Sequence, residues 1–271
     1  MTASIPYVPI DPRGFRLAMG MRPLNLATWL ELDERRDDEL ELKDELLSSS
    51  YDVVVATEPE GDAASHELLD EVKSFLVAYH PLVSTATDSS EHPIVQASRL
   101  AQEDFCVLVR EDAWRLRAAC VCFPSRWDLA RKIGTTLDDI HSPIPGYDEA
   151  LSTPTNSFFD RLRPERSYWR LNWTLLDRPD LYQPHVPRGS PSGELADWFF
   201  RVERQTLRQL PRTSAIVFTI HTYVTSAALL SERDPQFLPA LLLGLDTAPA
   251  DMQRYKGWVG VADRLREATS G

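Results

Sequence analysis

Two blocks of the chain are rich in β-branched, aromatic and other strand-forming residues, and a run of short helix-forming segments lies between them. The first block is FCVLV at 105–109 and RLRAACVCF at 115–123, joined by the polar connection 110–114, which predicts a β-hairpin. The second is YWRLNWTLL at 168–176, WFFRVERQTLRQL at 198–210 and SAIVFTIHTYV at 214–224. A Pro/Gly/Ser-rich loop separates the first two of these runs, and Pro211 with Arg212 separates the last two, so three antiparallel strands are expected. Between the blocks, Ser125 can cap a short helix that runs to Ile133 and stops at Gly134. Thr136 with Asp139 then forms a capping box ahead of a turn ended by PIPG, and residues 151–162 form a further helix. Two strands, short helices, then three strands are the element order of a PAS-like domain, an antiparallel sheet covered by short helices with a cavity between the layers, and they are compatible with other α+β folds too.

The flanks are helical. A Pro-punctuated start leads into a charged stretch, 24–47, anchored by Trp29, Leu30, Leu40, Leu46 and Leu47. Its DERRDDELELKDEL run reads as a solvated helix face. In residues 65–79, Leu69, Val72, Leu76 and Tyr79 recur at spacings of three and four, with Leu68 and Phe75 widening the stripe of a core-packed helix. Beyond the last strand, 237–245 is an apolar helix and 252–271 a polar tail. The expected division is an N-terminal helical extension at 1–100, a PAS-like core at 101–230, and a C-terminal helix and tail at 231–271.

Composition narrows the class. With 271 residues, 43% of them hydrophobic, the chain can bury a full core. No apolar run reaches membrane-spanning length, and MTASIPYVPIDPRGF lacks a secretory signal pattern, so a cytoplasmic protein without a membrane partner is expected. A net charge of −12 argues against nucleic acid and suits a basic partner or a cationic substrate. Cys106, Cys120 and Cys122 lie in apolar runs, and Cys-x-Cys without further ligands points to core packing in a reducing compartment.

The sequence has no phosphate-cradling glycine loop, no G-x-S-x-G elbow and no paired-ligand zinc spacing. Polar residues within the strand runs remain. In RVERQTL, alternation puts Arg201, Glu203 and Gln205 on one face and Val202, Arg204 and Thr206 on the other. Such a strand either encloses a polar face in a cavity or displays a solvated ladder at an edge. His141 ends a capped turn directly before SPIPGY, where Pro143 and Pro145 restrain the chain. A held imidazole of this kind suits a metal, and equally suits a bond to helix-terminal carbonyls. His66 and His80 flank a surface helix, His92 and His185 lie in Pro-containing loops, and His221 in FTIHTYV is the serious competitor.

The segments IPYVPIDPRGFRLAMGMRPL, VCFPSRWDLARKIG, DDIHSPIPGY, FFDRLRPERSYWRLNWTLLD, RVERQTLRQLPRTSAIVFTIHTYV and YKG occur in order from Ile5 to Gly257. Together they resemble the haem-dependent oxidative N-demethylases, a family of PAS-fold haem oxygenase subunits. The resemblance implies haem b in the cavity with a histidine on the iron. It also implies oxidation of a small secondary or tertiary amine with dioxygen, electrons from a separate reductase, and release of formaldehyde. On this mapping His141 is the axial ligand and Glu203 holds the cationic amine, since a protonated, dimethylamine-sized substrate offers two N–H donors and little apolar area. Asn172, Trp173 and Tyr147 would line the site, and Arg201, Arg204 and Arg170 are available to the haem propionates. The chain carries no flavin, iron–sulfur or nicotinamide motif, so electrons would come from another polypeptide. The alternatives are a haem- or small-ligand-binding PAS sensor without turnover, against which stands the absence of an attached output module, and a cofactor-free sheet with solvated charges.

Overall fold

A computed structural model describes residues 5–184 and 189–269. Seven strands make one antiparallel sheet in an α+β fold: β1 (Arg22–Leu24), β2 (Val55–Thr57), β3 (Asp104–Arg110), β4 (Trp114–Cys120), β5 (Ser167–Leu176), β6 (Phe199–Gln209) and β7 (Ile216–Ser226). Their spatial order is β1-β5-β6-β7-β3-β4-β2. The expected hairpin is β3–β4, and the three later runs are β5, β6 and β7, whose pairing places Glu203 opposite both Asn172 and Thr222. The long strands β6 and β7 therefore occupy the middle of the sheet, and the charges of RVERQTL belong to no edge.

Between β4 and β5 lie three short helices: α1 (Leu137–His141), α2 (Tyr147–Ala150) and α3 (Ser152–Asp160). The capping box forms as read: Thr136 Oγ1 accepts from the Asp139 amide at 3.1 Å, and the Asp139 carboxylate accepts from the Thr136 amide at 3.2 Å. Leu137, Phe159 and Leu162 pack on Leu108, Trp114, Leu207 and Ile216, which fixes these helices over one face of the sheet. The helix expected from Ser125 shrinks to a single 3-10 turn, Leu129–Arg131, because the chain leaves β4 extended and Arg126 takes a left-handed conformation, φ 55°.

The opposite face is also covered. Helices α4 (Arg36–Ser49), α5 (Tyr51–Val54), α6 (Asp62–Tyr79) and α7 (Pro93–Ser98) precede β3 in the chain and bury Leu46, Leu47, Leu68, Val72 and Leu76 with Phe105, Val107 and Val217. After β7, α8 (Ala227–Arg233), α9 (Phe237–Thr247), α10 (Ala250–Lys256) and α11 (Val261–Thr269) pack Phe237, Leu241 and Trp258 near Phe200, Val202 and Tyr223. Two expectations change here. The charged run in α4 is not wholly solvated, for Lys43 is fully buried and donates to the carbonyls of Ala101 (3.1 Å) and Glu103 (2.5 Å) near the Asp104 carboxylate. The polar tail is two helices that return to the sheet. The three cysteines are free and buried, Cys120 and Cys122 with their sulfurs 4.0 Å apart. Among the described residues no helix is long and apolar enough to cross a membrane.

Candidate active site

A cavity of about 950 Å³ opens between the sheet and α1–α3, at the upper end of the range for small-molecule sites. Its walls come from the segment 8–22, from β3 to β7, from α1–α3, and from Tyr255, Lys256 and Trp258 at the end of α10. Both faces of β5 contribute, because β1 covers that strand only along Ser167, Tyr168 and Trp169 and leaves the rest of its edge to the cavity.

His141 is the one histidine among the described lining residues. Its Nδ1 lies 2.8 Å from the Leu137 carbonyl, which can only accept, so Nδ1 carries the proton and Nε2 keeps its lone pair. The ring stacks on Tyr147, centroids 5.0 Å apart and planes within 15°. Tyr147 is tied in turn, its hydroxyl donating to Asp138 at 3.1 Å, where Ser152 Oγ (3.0 Å) and Asn156 Nδ2 (2.9 Å) also donate. Burial lowers the His141 pKa against the opposing pull of the Leu137 bond, and this favours the neutral imidazole that a metal requires.

Glu203 projects from the middle of β6 into the same space. Its Oε2 accepts from Asn172 Nδ2 (3.2 Å) and Gln205 Nε2 (3.0 Å), and Arg201 Nε stands 3.5 Å from Oε1. Arg201 is fully buried and donates to the carbonyls of Leu181 (3.0 Å) and Phe123 (2.5 Å) and to Thr222 Oγ1 (3.3 Å), so most of its guanidinium is engaged. Arg170 also lines the cavity, and its buried Nε, like that of Arg201, has no hydrogen-bond partner among the described residues. Burial pulls the pKa of both arginines down, Glu203 acting the other way. Lys256 reaches in from α10 and donates to Asn172 Oδ1 at 3.0 Å and to the Trp173 carbonyl at 3.1 Å. Trp173 stacks on Trp258, centroids 4.7 Å apart.

The structure thus brings His141, Tyr147, Asn172, Trp173, Arg201 and Glu203 to one cavity and separates Arg204 from them. Arg204 sits on the far face of β6, where it donates to the Trp29 carbonyl at 3.2 Å and pairs with Glu31 at 3.1 Å. The two-residue period that sends Glu203 inward sends Arg204 outward, so Arg204 is corrected from a cavity residue to one that binds the N-terminal segment. His221 and Tyr223 share that face; His221 lies between Glu103 and Asp33, and Tyr223 donates to Glu31. His185 lies outside the described residues. Lys256, Trp258 and the 8–22 segment were not assigned roles from sequence, although YKG marked the position of the lysine.

The donor set can be tested against a haem group. One imidazole with an open Nε2 suits a metal that brings its equatorial ligands with it. The apolar lining, which includes Leu108, Leu116, Phe218 and Ile220, suits a macrocycle. Among the described residues, six arginines line the cavity (Arg13, Arg16, Arg22, Arg126, Arg170 and Arg201) against two carboxylates, Asp11 and Glu203, an excess of positive charge that suits anionic propionates. The residues present fit.

Fold and cavity together define an α+β protein with a cavity of small-molecule size shared among sheet, helices and the segments flanking the core. Residues 20–266 match the family model described as haem-dependent oxidative N-demethylase, alpha subunit-like. The chain belongs to that family, and the family's description carries haem dependence and oxidative chemistry with it.

Proposed function

We propose that the chain binds haem b in this PAS-like cavity with His141 on the iron, and oxidatively demethylates a small secondary or tertiary amine held by Glu203. Dioxygen is the oxidant, and two electrons come from a separate reductase. The observation that carries the reading is the pairing across one cavity of a neutral, Tyr147-stacked imidazole with open Nε2 and a partly exposed carboxylate on the facing strand. The strand order β5-β6-β7-β3-β4, with α1–α3 over one face, supports the PAS-like part of the proposal.

When bound, haem would supply the iron chemistry by which dioxygen, two electrons and two protons convert an N-methyl group to formaldehyde and water, leaving the demethylated amine. The protein's own residues bind and orient. Glu203 accepts N–H donors from the ammonium ion, fixing which methyl group faces the metal. Leu108, Phe218 and Ile220 offer that methyl group an apolar wall and exclude water. Arg170, with its unused donors, is the guanidinium best placed for a propionate.

Reconstitution with haem tests the reading. The wild-type chain is expected to give a Soret band that His141→Ala loses while its circular dichroism is unchanged. Glu203→Gln is expected to keep the band and weaken the spectral response to dimethylamine at least tenfold, the scale of one charge-assisted contact. An unchanged ferric spectrum in His141→Ala removes that ligand assignment, and an equal amine response in Glu203→Gln removes the substrate assignment.

A further inference from the structure

Lys256 enters the cavity from the last turn of α10, and its contacts bear on the residue next to Glu203. An ammonium group only donates, so the Asn172 oxygen must face Lys256 Nζ at 3.0 Å, and the Asn172 nitrogen is thereby turned onto Glu203 Oε2 at 3.2 Å. The second bond of Lys256, to the Trp173 carbonyl at 3.1 Å, anchors the ammonium to the backbone of β5, so the amide cannot flip by dragging the lysine with it. Gln205 donates to the same Oε2 at 3.0 Å. Both amide donors fall on one carboxylate oxygen, and Oε1 is left with Arg201 Nε at 3.5 Å.

We infer that Lys256 is a positioning residue for amine recognition, which acts through Asn172 to saturate Oε2 of Glu203 and present Oε1 to an ammonium N–H. The inference rests on the proposed role of Glu203 and extends it to the C-terminal helices. It opposes the simplest electrostatic expectation. As a bare charge, Lys256 repels a cationic amine, and its removal would tighten binding. As the group that holds the Asn172 amide, its removal lets the amide oxygen swing toward the carboxylate, sets acceptor against acceptor, and weakens binding.

The sign of the effect decides between these, read in the haem-loaded full chain by titration with dimethylamine, followed by calorimetry and by the haem difference spectrum. Lys256→Met is expected to weaken dimethylamine binding about tenfold, the scale of losing one hydrogen bond to an ion, at unchanged Soret intensity. Asn172→Leu is expected to weaken it by a similar factor, and adding Lys256→Met to Asn172→Leu to weaken it no further, because the two act as one unit. Lys256→Arg, still an obligate donor, is expected to stay within about threefold of wild type. Binding that is unchanged or tighter in Lys256→Met, or weakened equally in both Asn172 backgrounds, overturns the inference. Should Lys256→Met fail to retain haem, Asn172→Leu carries the test alone, and wild-type affinity there overturns it. Failure of the underlying reading is separate: it shows as wild-type affinity in Glu203→Gln.

Discussion

His221 is an imidazole with a carboxylate at each ring nitrogen, Glu103 Oε1 3.1 Å from Nδ1 and Asp33 Oδ2 3.6 Å from Nε2, and it is fully buried. Burial alone would neutralise it, but Glu103 and Asp33 outweigh burial and raise its pKa to about 9. The unfolded value is about 6.5, so the native state binds the proton more tightly. The stability this contributes is present in full below about pH 6.5 and is lost as pH rises through about 9, on the order of 3 kcal/mol. Urea unfolding of wild type is therefore expected to weaken between pH 6.5 and 9 more steeply than that of His221→Gln; parallel pH profiles would sink the account. His221 also shows what a strand sequence can convey. Alternation grouped Glu203 with Arg201 and apart from Arg204, but it left open which group faces the cavity, because that depends on helices far away in the chain. His141 and His221 both stood in segments able to hold an imidazole rigidly. Only the packing shows that one lines the cavity with Nδ1 on the Leu137 carbonyl while both nitrogens of the other are met by carboxylates.

At the scale of elements, the long strands and the capped turn were legible because their signals are local: a period of two, a Thr-x-x-Asp box, a glycine stop. The helices after β7 were less so. Residues 252–271 are polar overall, and α10 and α11 gain their order from Trp258, Val261 and Leu265 packed against the sheet, a tertiary effect that local propensity does not express. The end of α10 depends on one glycine. Gly257 has φ +72°, and a Cβ there would lie 2.4 Å from the Gly189 carbonyl oxygen. Arg126 ties the same corner by donating to the carbonyls of Lys256 at 3.2 Å and Gly189 at 3.3 Å. Gly257→Ala is accordingly expected to cost more than about 1 kcal/mol, since left-handed strain and a backbone clash act together. Equilibrium denaturation reads the cost, and a midpoint equal to wild type would show that the corner yields freely.

At the scale of the whole molecule, the cavity is where the layers meet. The 8–22 segment, the sheet, α1–α3 and α10 each supply part of its wall, so a ligand that fills it touches all four at once. A group that binds the folded chain and not the unfolded one stabilises it by an amount set by concentration over Kd, about 2.7 kcal/mol at a hundredfold excess. For a chain of this size each kcal/mol moves Tm by roughly 2 °C, so saturating haem is expected to raise Tm by about 5 °C. The His141→Ala protein, given the same haem, should show little or no rise, because the iron bond that retains the group is gone. Differential scanning calorimetry at several haem concentrations measures both. A Tm that stays fixed as haem is added, in a sample whose Soret band shows that haem is bound, would mean that folded and unfolded chain bind it alike, and would detach the His141–Glu203 arrangement from any cofactor.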